Sequence, residues 1–245
     1  KPCPTCTSIC WAAGSSNGHP VSPPIMIRKF YPFFAASLLA GTSCTVNPPA
    51  APPRVKRVVL VHGFLETGSA FKTLKKRLEK RGFECYVPRL KPSDGRSGLG
   101  NVAARLKQDI DTKFGPKEPI NVVAFSMGGI VSREYLQHLG GAARCENFVT
   151  ISSPHHGTKA AWLYPTLGVE EMRPGSPFLA SLQSSQDRLG KIPVTSYRTP
   201  MDLIILPPES SVWDRAENLE FPVLMHPLML TSEPVMSDIE RRLAK

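Results

Sequence analysis

The segment Ala124-Phe125-Ser126-Met127-Gly128-Gly129 sets a serine among small residues. Ile120 to Ala124, just before it, reads as a strand. Met127 to Leu139, just after, reads as a helix stopped by Gly140-Gly141. A serine at a strand-to-helix turn is the setting of a nucleophile elbow. Small neighbours are a mechanical requirement there, because Ala124 and Gly128 flank a turn too tight for larger side chains. The hydroxyl then stands over a helix N-terminus, and the N–H of Met127 can point at a developing oxyanion. The bland alternative is a serine that only caps a helix.

A serine hydroxyl is a weak nucleophile until a base takes its proton. The base is expected after the last strand, with an acid between serine and base in chain order. Phe221 to Met225 reads as that strand, and His226 follows at once. Asp202 lies just past a strand predicted over Ile192 to Tyr197. Ser126, Asp202 and His226 therefore form the expected catalytic set. Glu209, Asp214 and Glu220 are rival acids read as solvated positions in a polar loop, and His155 and His156 are rival bases that precede the acid. The loop His62-Gly63-Phe64-Leu65 follows the first strand, and Phe64 there is expected to supply the second oxyanion N–H beside that of Met127. His62 is read as structural, bracing the loop through its ring nitrogens.

These residues need a scaffold. Val55 to Val61 reads as the first strand, Phe83 to Val87 as the second and Asn147 to Ile151 as the fourth. Helices are predicted over Ala70 to Arg81, Asn101 to Lys113 and Val235 to Leu243, from apolar residues three and four apart. Alternation of strand and helix predicts an α/β fold, a mostly parallel sheet with helices on both faces. Chemistry on such a sheet gathers at the carboxyl ends of the strands.

Composition bounds the rest. The chain has 245 residues, 41% of them hydrophobic, and a net charge of +10. That excludes a disordered chain. No apolar run reaches the about 20 residues of a spanning helix. Residues 1–53 hold 10 of the 25 prolines and no acid. Arg28-Lys29, the apolar run Phe30 to Ala40 and then Gly41-Thr42-Ser43-Cys44 follow the order of an export signal. The organisation expected is an upstream leader without structure (1–25), a signal peptide (26–44), a Pro-rich linker (45–54) and a catalytic domain (55–245). Cys3, Cys6 and Cys10 in the leader lack a fourth metal ligand. Cys85 and Cys145 are expected to pack as free thiols. Lys72, Lys75, Lys76, Arg77, Lys80 and Arg81 share one helix, whose basic face either meets an anionic membrane surface or is simply solvated. No nucleic-acid motif is present.

His62-Gly63-Phe64, the serine segment and the late Asp202 and His226 resemble the α/β-hydrolase fold, and within it small bacterial triacylglycerol lipases that carry Ala before the nucleophilic Ser. Thr150 to Thr158 and Met172 to Leu179 also resemble segments of lipases and related esterases. Cys44 resembles the lipidated cysteine of bacterial lipoproteins, although Gly41 stands where that family has Leu; lipidation and simple cleavage both stay open. The resemblance implies a carboxylic ester hydrolase, a lipase cleaving acylglycerols or similar lipid esters, with medium and longer acyl chains favoured and no cofactor. No carboxylate cluster for Ca²⁺ is visible. An acyltransferase or thioesterase on the same triad, or a non-catalytic envelope-anchored binding protein, remains the alternative. Leu65, Trp162, Leu163 and Phe178 are expected to meet the substrate, with residues 158–191 forming a small lid, the wall of an acyl pocket or a plain surface helix. The protein is expected to be monomeric and exported, periplasmic or envelope-anchored if bacterial and otherwise secreted.

Overall fold

Val58 and Leu60 face one side of the central sheet, Val59 and Val61 face the other, and all four are fully buried. A strand dry on both faces needs helices on both sides, and the computed structural model supplies them. It describes residues 55–245. The leader, signal and linker expected over 1–54, with Cys44, lie outside the described residues.

Six strands are described: β1 (Arg57–Val61), β2 (Glu84–Tyr86), β3 (Ile120–Phe125), β4 (Cys145–Ile151), β5 (Val194–Arg198) and β6 (Glu217–Glu220). They form one sheet in the order β2-β1-β3-β4-β5-β6, and every pairing is parallel. The helices are α1 (Lys72–Lys80), α2 (Leu99–Phe114), α3 (Met127–His138), α4 (Leu167–Glu170), α5 (Pro177–Ser184) and α6 (Glu233–Ala244). Leu74 and Leu78 of α1 and Val235, Ile239 and Leu243 of α6 cover the Val58 and Leu60 face. Leu106 and Ile110 of α2, Ile130 and Val131 of α3 and Leu182 of α5 cover the other. β3 sits between β1 and β4, wholly buried. The residue that ends it is therefore held from both sides.

One predicted strand is displaced. Phe221 to Met225 is loop, and the sixth strand is the polar stretch Glu217–Glu220. The Phe221 N–H still reaches Arg198 O at 2.9 Å, but Pro222 has no N–H to continue the ladder. As an edge strand, β6 needs little apolar character, which hid it.

The basic face of α1 is partly neutralised within the fold. Arg77 bonds Glu233 and the buried Glu240 of α6, and Arg81 pairs with Glu240 at 2.8 Å. Cys85 and Cys145 lie on strands β2 and β4, which two other strands separate, and both thiols are free.

Candidate active site

Ser126 ends β3 and precedes α3 with φ 54° and ψ −127°, a conformation that L residues adopt only under constraint. The constraint is visible. The Ser126 N–H donates to Ile151 O at 2.9 Å, and its carbonyl accepts the Gly129 N–H at 3.0 Å. Gly128 is obligatory for close approach: a Cβ there would sit 2.4 Å from Val61 O and 2.7 Å from His62 O. The first turn of α3 thus rests on the end of β1, the strand whose following loop faces the serine.

That loop is pinned almost throughout. His62 is buried; its Nδ1 donates to Gly63 O at 3.1 Å and its Nε2 accepts the Leu90 N–H at 3.4 Å. Burial pulls its pKa below the ordinary histidine value, so the ring braces the loop as a neutral group. Leu65 takes a left-handed φ of 55°, and its N–H reaches Ser93 O at 2.9 Å. Phe64 packs its ring edge-on against Tyr164 at 5.3 Å.

His226 and Asp202 come from the loops after β6 and β5. His226 Nδ1 lies 2.7 Å from Asp202 Oδ2, and both side chains are almost fully buried. Asp202 Oδ1 accepts the N–H groups of Ile204 and Ile205, each at 2.9 Å. Burial alone would raise the Asp202 carboxyl, but the His226 bond and these N–H donors outweigh it and hold the group below the usual carboxylate range. Thr199 Oγ1 donates to Val223 O, which ties the two loops together ahead of both residues. The His226 ring stands 4.6 Å from that of Phe125, the residue before Ser126.

Ser126, Met127, Phe64 and His226 line one cavity of about 400 Å³. Its walls are mostly apolar: Leu65, Leu163, Tyr164, Val169, Met172, Ile204 and Ile205. Residues of the 158–191 connection therefore build cavity wall. Of the four residues expected to meet the substrate, Leu65 and Leu163 line the cavity, whereas Trp162 and Phe178 do not. Trp162 lies 64% exposed under the Arg173 guanidinium, 4.4 Å from its ring centroid, and Phe178 packs onto the α2–α3 core. Apolar character alone could not separate cavity wall from surface and core. Ile204 and Ile205 were missed, although an apolar pair directly after the acid is a readable signal. Glu66 was missed as well. It lines the cavity and takes the Gly63 N–H on Oε2 at 2.9 Å.

The rivals fall elsewhere. His155 is buried, bonded through Nε2 to Thr150 Oγ1 at 3.1 Å and stacked on Trp213 at 4.6 Å. Burial, then the nearby Arg133, hold it well below the usual histidine pKa. His156 and Asp214 are exposed. Glu209 and Glu220 pair with Arg198. A second serine also meets a histidine: Ser185 Oγ lies 2.7 Å from His138 Nε2, and His138 Nδ1 lies 2.6 Å from Glu134 Oε2. Ser185 Oγ is also bonded to Gln137 Nε2 and Ser181 O, and it lines none of the cavities described. Among the described residues, no group of three His, Cys, Asp or Glu side chains is placed to hold a metal ion.

An all-parallel sheet with a serine at a strained strand-to-helix turn, beside a buried His–Asp pair, defines an α/β-hydrolase of the ester hydrolase class. The palmitoyl protein thioesterase family model matches residues 57–185, and the chain belongs to that family. No curated protein matches it in sequence. Among solved structures it is similar to a Bacillus licheniformis lipase in mature form, with 20% identity over 80% of this chain and 96% of that one, at a TM-score of 0.64. Aspergillus fumigatus lipase B gives 15% identity over 78% and 53%, at 0.68. A Paleococcus ferrophilus monoacylglycerol lipase gives 18% over 76% and 93%, at 0.58. At these identities the likeness is one of fold.

Proposed function

We propose that Ser126, His226 and Asp202 form a catalytic triad that hydrolyses lipid esters whose acyl chain lies in the apolar cavity. The observation that carries this reading is that His226, bonded to Asp202, lines the same cavity as Ser126, Phe64 and Met127. Ser126 Oγ attacks the ester carbonyl while His226 Nε2 takes its proton. The carbonyl oxygen becomes an oxyanion received by the N–H groups of Phe64 and Met127, each such donor contributing roughly a hundredfold or more. His226 returns the proton to the departing alcohol. Water, deprotonated by the same imidazole, then cleaves the acyl-enzyme to a carboxylic acid and free Ser126. Asp202 holds the tautomer that leaves Nε2 free to act.

The family match favours a second reading, in which the leaving group is a thiol and the substrate an acyl thioester. The triad chemistry is the same. p-Nitrophenyl esters and acyl thioesters of matched chain length, offered to the full chain and to Ser126→Ala, test both readings. Faster turnover of the oxygen esters, lost in the variant, supports the first; faster thioester turnover supports the second. A folded wild-type protein inert toward both, and unlabelled by a fluorophosphonate, would sink both.

We also infer export, from the signal-like order of residues 26–44. Fatty-acid labelling that vanishes in Cys44→Ala would establish a lipid anchor, and unchanged label would remove it.

A further inference from the structure

The cavity holds an acid that the triad does not use. Glu66, Tyr164 and His226 are its titratable lining residues; Glu66 is the carboxylate among them, and no Lys or Arg lines the cavity among the described residues. A carboxylate here is chemically awkward, because an oxyanion must form nearby. Burial pushes the Glu66 carboxyl up, and only the Gly63 N–H and the His226 charge draw it back. Such a group is tolerated where it has a task.

The hydrogen bonds of the loop indicate the task. Gly63 N–H donates to Glu66 Oε2, Leu65 N–H to Ser93 O, and Glu66 N–H to Gly63 O. Within 63–66, Phe64 is left as the residue whose N–H meets no acceptor among the described residues. Gly63 is also pinched sterically. A Cβ there would meet Glu66 Oε2 at 3.0 Å on one side and Ser126 Cβ at 3.0 Å on the other. Only a glycine fits between the Glu66 carboxylate and the nucleophile just before Phe64.

We infer that Glu66 is a positioning residue of the oxyanion hole: by accepting the Gly63 N–H and closing the 63–66 turn, it aims the Phe64 N–H at the cavity beside Ser126. The inference rests on the triad reading above. It goes beyond it by assigning the aim of one oxyanion donor to a side chain outside the triad.

A small misplacement of a catalytic group costs on the order of a hundredfold in rate. In the full chain, Glu66→Ala is expected to lower kcat by about 10- to 100-fold with KM changed less than about threefold, since the donor acts on the transition state. Glu66→Gln keeps a carbonyl oxygen at the right length and is expected to recover kcat to within about threefold of wild type. Glu66→Asp, one methylene short, is expected to resemble the alanine variant. The rate at which a fluorophosphonate labels Ser126 should follow the same order, because its phosphoryl oxygen needs the same donors. Circular dichroism and melting confirm that each variant is folded; if Glu66→Ala is not, the Gln and Asp pair decides alone. An unchanged kcat in both Ala and Asp, or a Gln variant as impaired as Asp, would overturn the inference. A wild-type protein that neither turns over esters nor labels would instead overturn the triad reading beneath it.

Discussion

His226 Nδ1 stands 2.7 Å from Asp202 Oδ2, while the other oxygen of that carboxylate is occupied by two backbone N–H groups at 2.9 Å. The carboxylate is therefore fixed in its rotamer before it meets the imidazole. Asp202→Asn keeps the shape but offers one oxygen where three donors now converge. The ring is expected to lose its tautomer, with kcat falling about 10³- to 10⁴-fold and little change in KM. Steady-state kinetics on a p-nitrophenyl ester check this; a loss under tenfold would show that Asp202 is not the triad acid.

Among the described residues, Ser185 touches a histidine with a carboxylate behind it and Ser126 shares a cavity with another, and only Ser126 is expected to react. Ser126 stands in a strained turn above a cavity, whereas Ser185 caps α5 with its oxygen already bonded. A fluorophosphonate is expected to label Ser126 alone. Mass mapping of the labelled peptide checks it. Ser126→Ala should abolish labelling and Ser185→Ala should leave it unchanged; label on Ser185 would mean that an aligned histidine suffices without a cavity.

With the acyl chain lying in the cavity as proposed, its wall is expected to set the acyl length. Ala160 lines it beside Leu163 and Val169. Ala160→Phe is expected to fill part of the space, so that kcat/KM drops by roughly tenfold or more for long acyl chains and little for short ones. Equal losses at every length would indicate a distorted site, and no loss would place the chain elsewhere.

Acid should weaken the fold from below pH 6.5. His62 and His155 are buried and held under their ordinary pKa of 6.5. As pH falls through that value the unfolded chain takes up protons that the folded chain refuses, so stability decreases. Above it both states are neutral and this contribution to pH dependence vanishes. The urea midpoint is expected to be lower at pH 5.5 than at pH 7.5, with a smaller drop in His155→Gln. An identical drop in that variant would clear His155 of the effect.

Much of the site was legible because it is local. Ala124 to Gly129 encode a strand, a turn and a helix in six residues, and that order sets the serine at the start of the helix, over its orphan N–H groups. His226 could be named from chain order, although the strand assigned before it was misplaced. Pro222 ends the ladder after Phe221, so His226 leaves a loop rather than a strand end.

The sequence by itself determined the near-continuous apolar runs of β1 and β3, and hence a sheet covered on both faces, with the serine at its centre. It also set the chain order Ser126, Asp202, His226, from which the triad is proposed. Only the tertiary structure decided which apolar residues of the 158–191 connection face the cavity, since Leu163 and Trp162 are adjacent and equally apolar yet only Leu163 lines it. It decided that Asp202, rather than Glu209 or Glu220, meets the imidazole, because Arg198 occupies the other two. Periodicity and chain order act through neighbours along the chain, whereas a cavity and an ion pair depend on which distant backbone segments the packed core brings together.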